Sequence, residues 1–291
     1  MAELNLTSTG NDAFDASFAQ SVDFASSFNS GITGLQKVLG VTRLVPMASG
    51  STLKTYKSSV TLDGTTVEPG AVIPLSLVKQ EPAETIELVW DKKRKAVPAE
   101  DIQTYGYARA VANSDSLFIR ELQKEVRGKF FDLLETGTGT ASGEGLQATS
   151  AQAWGKVQVA FEDDGAEVIG FFNTMDVADY LGDANITTQT AFGMQYVENF
   201  MGFRVALISA LVPQGKIYAT ASDNLVLAYA NMANANMAEF EMYTDETGLI
   251  GVTHSINKQR LTSETITASA IVLFPERIDG VVIATITEPS V

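Results

Sequence analysis

The sequence holds no cysteine and a single histidine in 291 residues. Without thiols there can be no disulfide, no thiolate nucleophile and no zinc–thiolate site. With His254 alone, most equipment for nucleophilic or metal-assisted catalysis is missing. His254 lies in the strand-like stretch Gly251-Val252-Thr253-His254-Ser255-Ile256. It reads as a general base, a metal ligand or, more plainly, a packed side chain. No run of about 18 apolar residues occurs, so no membrane-spanning helix is expected. The opening Met1-Ala2-Glu3-Leu4-Asn5-Leu6-Thr7 has no basic region followed by an apolar stretch. No secretory leader is therefore expected, and the compartment implied is a cytoplasm.

Positive charge is scarce: 20 Lys+Arg face 35 Asp+Glu, a net charge of −15. The deficit is uneven, with 14 basic against 18 acidic residues up to Ser150 and 6 against 17 beyond it. An acidic surface repels phosphate, which excludes a general nucleic-acid binder. It leaves room for a container that holds DNA by confinement.

What is present is ordinary for a folded chain: 45% apolar and 19% charged residues, in a length that suits one or two domains. Up to about Thr42 the chain reads as an arm. Asp12 can cap a short helix carrying Phe14, Phe18, Val22 and Ala25, with Phe24 and Phe28 partly off that face. Ile32 to Leu39 suggests one or two further turns, stopped by Gly40. This helix either docks on its own core or lies on a neighbouring subunit, and the polar residues between its aromatics favour the neighbour.

Pro46 to Asp91 reads as a long polar hairpin. One strand runs from Ser51 to Thr61, the loop holds Asp63-Gly64, Pro69-Gly70 and Pro74, and Thr85 to Trp90 returns with Ile86, Leu88 and Trp90 on one face. A two-stranded ribbon is marginal in water unless it lies against something. The run Lys92-Lys93-Arg94-Lys95 ends the hairpin, either as a solvated strand end or as a contact to DNA or to a neighbour's acidic patch. A helical region follows from Pro98, with a break expected near Asn113-Ser114. Beyond it lies an amphipathic helix presenting Phe118 or Ile119, Leu122, Val126, Phe130 and Leu133. Gly137 ends it, and a flexible stretch to Gly145 is expected.

From Ala151 helix and strand alternate. Trp154–Phe161 reads as helix and Glu167–Phe172 as a buried strand. A helix capped by Asn173 or Thr174 follows. Strands are expected at Arg204–Ile208, Lys216–Thr220 and Leu225–Tyr229, with a turn at Pro213-Gln214-Gly215. Ala238–Ile286 reads as mostly strand. The chain is thus of the α+β class.

No stretch carries an enzyme signal. Gly137 to Gly145 matches neither phosphate-loop spacing and follows a helix rather than a strand. Glu162-Asp163-Asp164 lacks the spacing of a calcium loop. Met232, Met237 and Met242 suit adaptable packing better than a cofactor site. No catalytic residue, cofactor or metal is expected.

Two passages carry a resemblance. Ala96-Val97-Pro98-Ala99-Glu100-Asp101-Ile102, leading to Glu135-Thr136-Gly137 and on to Gly145-Leu146, looks like the passage from hairpin to spine helix to glycine-rich exit in tailed-phage major capsid proteins. Phe200-Met201-Gly202-Phe203-Arg204-Val205 through Val212-Pro213-Gln214-Gly215-Lys216-Ile217-Tyr218 is similar to that family's loop–strand–turn–strand passage. Glu276-Arg277-Ile278-Asp279-Gly280-Val281-Val282 fits its closing strand. The chain therefore resembles the Hong Kong 97 fold along nearly its whole length, with the order of pieces weighing more than any one of them.

The resemblance implies an N-terminal arm (1–45), an E-loop hairpin (46–95), a peripheral domain with the spine helix (96–147), a mixed α/β axial domain (148–237) and return strands completing the peripheral domain (238–291). It implies hexamers and pentamers forming an icosahedral head around double-stranded DNA held by confinement. The implied partners are further copies, a separate scaffolding protein, a portal protein and, in addition, decoration proteins, with no membrane. Candidate inter-subunit contacts are Phe14, Phe18, Phe28, Lys54, Tyr56, Lys57, Trp90, Lys92, Lys93, Arg94 and Lys95. Some members form Lys–Asn crosslinks; Lys54 and Lys57 have no identifiable partner here, so none is expected. An encapsulin-type compartment shares the fold and stays open as an alternative, with a soluble α/β enzyme as a remote one.

Overall fold

The computed structural model describes residues 9–41, 43–48, 50–61, 63–64, 72, 75–161, 166–181, 188–233 and 240–287, with the side chains of 9–17, 57–60, 80 and 83–84 excepted. The chain opens on α1 (Thr9–Leu39), then β1 (Arg43–Met47) and the pair β2 (Thr52–Thr61) and β3 (Leu77–Glu87). β4 (Asp91–Pro98) leads into α2 (Ala99–Tyr105) and α3 (Tyr107–Glu135). Next come β5 (Gly139–Glu144), α4 (Gly145–Ala160), β6 (Val168–Phe172), α5 (Thr174–Leu181), β7 (Gln189–Ala191), β8 (Met194–Phe200) and β9 (Phe203–Ile208). β10 (Lys216–Ala221), β11 (Leu225–Ala230), β12 (Ile250–Asn257), β13 (Thr262–Ser269), β14 (Ile271–Pro275) and β15 (Val282–Thr287) complete it.

The first helix departs from expectation. Two short pieces were expected, yet α1 is one helix of 31 residues. Phe24, Ala25, Phe28, Ile32, Leu35 and Leu39 recur at helical spacing and all are buried, so packing of one stripe carries the helix across the polar segment between them. That outweighs a propensity cost of about 0.5–1 kcal/mol per Ser or Gly. The stop at Gly40 is as read: its φ is +66° and the Val41 N–H reaches the Gln36 carbonyl at 2.9 Å, a left-handed cap. The helix docks on its own core, against β12 and α3.

In the spine region the break falls at Gly106, where φ is +82°, and α3 runs 29 residues straight through Asn113-Ser114. Val111 and Asp115, four residues apart and both buried, hold the helix on either side of those two residues. The inward face uses Phe130, Phe131 and Leu134, with Phe118, Ile119 and Val126 partly buried against the same cluster.

A seven-stranded mixed sheet, in the order β5-β15-β10-β6-β9-β8-β7, is the largest layer. Every residue of its central strand β6 is buried, as a strand covered on both faces requires. Ile169 and Phe171 join the cluster holding Phe130 and Phe131 of α3. Val168 and Phe172 join the opposite cluster with Leu146, Ala153 and Val157 of α4. The period of two thus divides one strand between two cores.

The expected flexible stretch from Gly137 to Gly145 is instead the edge strand β5, paired in parallel with β15. Glycine is used there for close approach: a Cβ on Gly139 would stand 2.8 Å from the Val281 carbonyl oxygen, and one on Gly143 would stand 2.6 Å from the Thr149 nitrogen. The polar stretch before Phe200 also holds strands, β7 and β8. Sheet membership crosses the expected domain limits, since β5 and β15 both join the seven-stranded sheet while β11 pairs with β1 and β14.

Candidate functional site

The hairpin β2–β3 forms a sheet of its own, and its two halves differ. The foot is anchored. Leu88, just past β3, is fully buried beside Ala230, Met232 and Ala270, while Leu53 and Ile86 pack on Val226, Ala228 and Phe274. The Tyr56 N–H donates to the Glu276 carbonyl at 3.0 Å, and Arg43 pairs with the Glu276 carboxylate. At Lys54/Tyr56 the register shifts, and β2 and β3 pair with no other strand among the described residues. Leu75, Leu77 and Val78 stand 96%, 62% and 65% exposed. The return strand begins at Leu77, eight residues earlier than the sequence suggests. The turn signals Pro69-Gly70 and Pro74 lie outside the described residues.

Beside the foot lies an apolar cleft of about 490 Å³ lined by Leu88, Val89, Trp90, Phe240, Met242 and Ile266. Trp90 is half-buried, with the Lys92 ammonium 5.6 Å from its ring centre.

The basic run is a strand rather than a strand end. β4 pairs antiparallel with β13, so its side chains alternate in direction. Lys93 bonds Asp91 at 3.2 Å and Glu125 at 3.1 Å, and Lys129 joins the same two carboxylates. Burial raises the Glu125 carboxyl, but the hydrogen bonds from Lys93 and Lys129 outweigh it and hold the group below its usual range. Hydrogen bonds that Lys93 donates to Glu125 and Asp91 hold it above its ordinary value. Arg94 pairs with Glu264 at 2.5 Å. Of these carboxylates only Glu264 comes from the acidic half beyond Ser150.

Lys95 belongs to a buried network. Its Nζ lies 2.7 Å from Asp115 Oδ1, which also accepts the Thr265 hydroxyl at 3.3 Å. His254 Nε2 is 3.3 Å from Asp115 Oδ2, and its Nδ1 is 2.8 Å from the Ser21 hydroxyl. Burial raises the Asp115 carboxyl, but bonds to His254 and Lys95 more than offset it and hold the group below the usual carboxylate range. Lys95 has a single carboxylate to offset its desolvation, so burial pushes it below the usual lysine value. Ser21, Asp115 and His254 have the composition of a hydrolytic triad, yet all three are buried. The His254 side chain is wholly covered, as the packed reading of it expects.

Of the other expected contacts, Phe18 is 52% exposed and touches Tyr243 edge-on, whereas Phe28 is 1% exposed in the chain's own core and is removed from the candidates. Lys54 is exposed and Tyr56 half-buried. The side chains of Phe14 and Lys57, the run Glu162-Asp163-Asp164 and Met237 lie outside what the structure describes. Lys93, Arg94 and Lys95 hold carboxylates of their own subunit; sequence spacing could not show this, since Arg94 and Glu264 are 170 residues apart.

No family model and no curated protein matches this sequence. Solved structures do. The cyanophage A-1(L) capsid asymmetric unit is 12% identical at a TM-score of 0.57, covering 90% of this chain and 94% of that one. The satellite phage P4 procapsid, whose structure includes the size determination protein, is 11% identical at 0.52, covering 89% and 92%. The capsid of cyanophage P-SCSP1u is 8% identical at 0.52, covering 85% and 87%. Identity so low speaks for fold alone, and on fold it is plain: this chain has the Hong Kong 97-like fold of tailed-phage capsid proteins.

Proposed function

We propose that the chain is the major capsid protein of a tailed bacteriophage, a shell subunit without catalytic activity. Copies assemble as hexamers and pentamers into an icosahedral head that encloses double-stranded DNA by confinement. The observation that carries this reading is the hairpin above Tyr56, which leaves Leu75, Leu77 and Val78 uncovered. Such a ribbon gains stability only against another surface, and a second copy supplies one. The hairpin has the position of the E-loop, α3 that of the spine helix, and the seven-stranded sheet with α4 and α5 that of the axial domain.

Phe14, Phe18, Lys54, Tyr56, Lys57, Trp90 and Lys92 remain the proposed inter-subunit contacts. Individually weak contacts, many per subunit, hold the lattice through avidity. A scaffolding protein, a portal protein and decoration proteins complete the proposed partners, with assembly in the host bacterial cytoplasm. Size-exclusion chromatography with negative-stain microscopy of the purified chain tests the reading. Closed particles are expected, and a lone monomer at all concentrations would sink it. Nuclease-protected DNA in particles from infected cells separates a phage head from a compartment filled with protein cargo.

A further inference from the structure

Among the described residues, the half-buried cations follow one rule with one exception. Lys95 has Asp115 at 2.7 Å, Arg277 has Asp279 at 2.8 Å and Arg204 has Glu167 at 2.9 Å. Arg127 on α3 has no carboxylate at ion-pair distance among the described residues; Glu121 acts on it only from further away. In a chain with 35 carboxylates that omission needs a reason, because a desolvated, unneutralised guanidinium is costly.

The group is also held in place. Its Nη1 donates to the Phe192 carbonyl at 2.8 Å, its guanidinium carbon lies 5.9 Å from the Phe192 ring centre, and its buried Nε–H has no partner among the described residues. Gly193, at φ +70°, lets the backbone close on it, since a Cβ there would stand 2.6 Å from Nη1.

Arg127 lines a cleft of about 360 Å³ between α3 and the large sheet, with Lys124, Thr174, Gln195, Ser209 and Leu211. Among the described residues, two cations and no carboxylate line it. Among the described residues Lys124 has Glu121 at 3.7 Å. Ser209 Oγ accepts the Leu211 N–H at 3.2 Å and keeps its own proton to donate. The side chains of Thr174 and Gln195 make no hydrogen bond among the described residues.

We propose that this cleft binds a phosphoryl group, with Arg127 and Lys124 supplying charge and Ser209, Thr174 and Gln195 supplying hydrogen bonds. Donors converge from α3, from the start of α5, from β8 and from the segment after β9. Several directions of approach suit a tetrahedral oxyanion better than a planar carboxylate, and a fixed guanidinium suits phosphate. The same chemistry is offered by free phosphate and by a polynucleotide backbone. The inference does not depend on the shell reading.

Calorimetric titration of the full chain with pyrophosphate, against sodium chloride of matched ionic strength, is the test. It is run beside the anisotropy of a fluorescent single-stranded oligonucleotide. Saturable pyrophosphate binding is expected, weakened about tenfold by Lys124→Gln and by Arg127→Lys, the loss of one charged hydrogen bond each. Oligonucleotide binding that pyrophosphate displaces assigns the site to a polynucleotide backbone; pyrophosphate binding alone assigns it to the free anion. No saturable signal above the salt control, or equal affinity in wild type and variants, overturns the proposal. Should Arg127→Lys fail to fold, Lys124→Gln decides the matter, because that side chain is largely exposed.

Discussion

The Asp115 carboxylate lies 2.7 Å from Lys95 Nζ and, through its other oxygen, 3.3 Å from His254 Nε2. One side chain on α3 thereby ties β4 to β12, and through the His254–Ser21 bond it ties α1 to both. Removing it would strand a buried ammonium. Asp115→Ala is expected to destabilise the subunit by about 3–5 kcal/mol. Lys95→Met, which leaves Asp115 with His254 and Thr265, is expected to be milder. Urea denaturation of the two variants measures the difference, and equal losses would contradict this account.

The same carboxylate sets an acid limb. Its folded value lies below the ordinary one, so the folded state binds that proton less readily than the unfolded state. The contribution is complete above the usual aspartate range near about pH 4 and is lost as pH falls through the lower folded value. Thermal midpoints between about pH 5 and pH 2 should fall more steeply in the wild type than in Asp115→Asn.

On the alkaline side Tyr218 is raised to about 12, by burial first and by Glu135 second. A raised phenol stabilises the fold below its unfolded value of about 10 and loses that contribution as pH climbs toward the folded one. Tyr218→Phe should flatten stability over this window, as read by denaturation at successive pH values.

The two ends of the hairpin should respond oppositely to mutation. Leu88→Ala, at the buried foot, is expected to cost the subunit about 2–5 kcal/mol. Leu77→Ser with Val78→Ser, on the open part, should change its stability by no more than about 0.5 kcal/mol each. The double variant should nevertheless lower the yield of closed particles. Unfolding curves and particle counts by microscopy separate the two effects, and normal particle yield would remove these residues from the contact.

A left-handed position gives a sharper local test. Gly40→Ala places a Cβ at φ +66° in the space of the Arg204 guanidinium. A loss of about 1–2 kcal/mol is expected from the backbone alone, measured by the same unfolding curves.

The parts legible in sequence were those written in local pattern. The all-apolar Val168–Phe172 run, the Asn173 cap, whose Oδ1 accepts the Met175 N–H at 2.7 Å, the Gly40 stop and the Pro213–Gly215 turn each follow from neighbouring residues. What escaped depends on distant partners. The glycines of β5 look like a linker until the Val281 carbonyl and the Thr149 amide are seen pressed against them. α1 looks broken because its polar segment is visible while the core that bridges it is not. The basic run looks like a free patch because Asp115, Glu125 and Glu264, which answer its charges, come from other elements. Arg127 gives no local signal, since only folding shows that it lacks a counter-ion.

The pairing of β5 with β15 has a consequence for biosynthesis. The edge formed by residues 139–144 finds its partner only at residues 282–287, so the large sheet must remain open on the ribosome while the intervening chain is made. Closure is then a long-range event, the kind that makes folding slow.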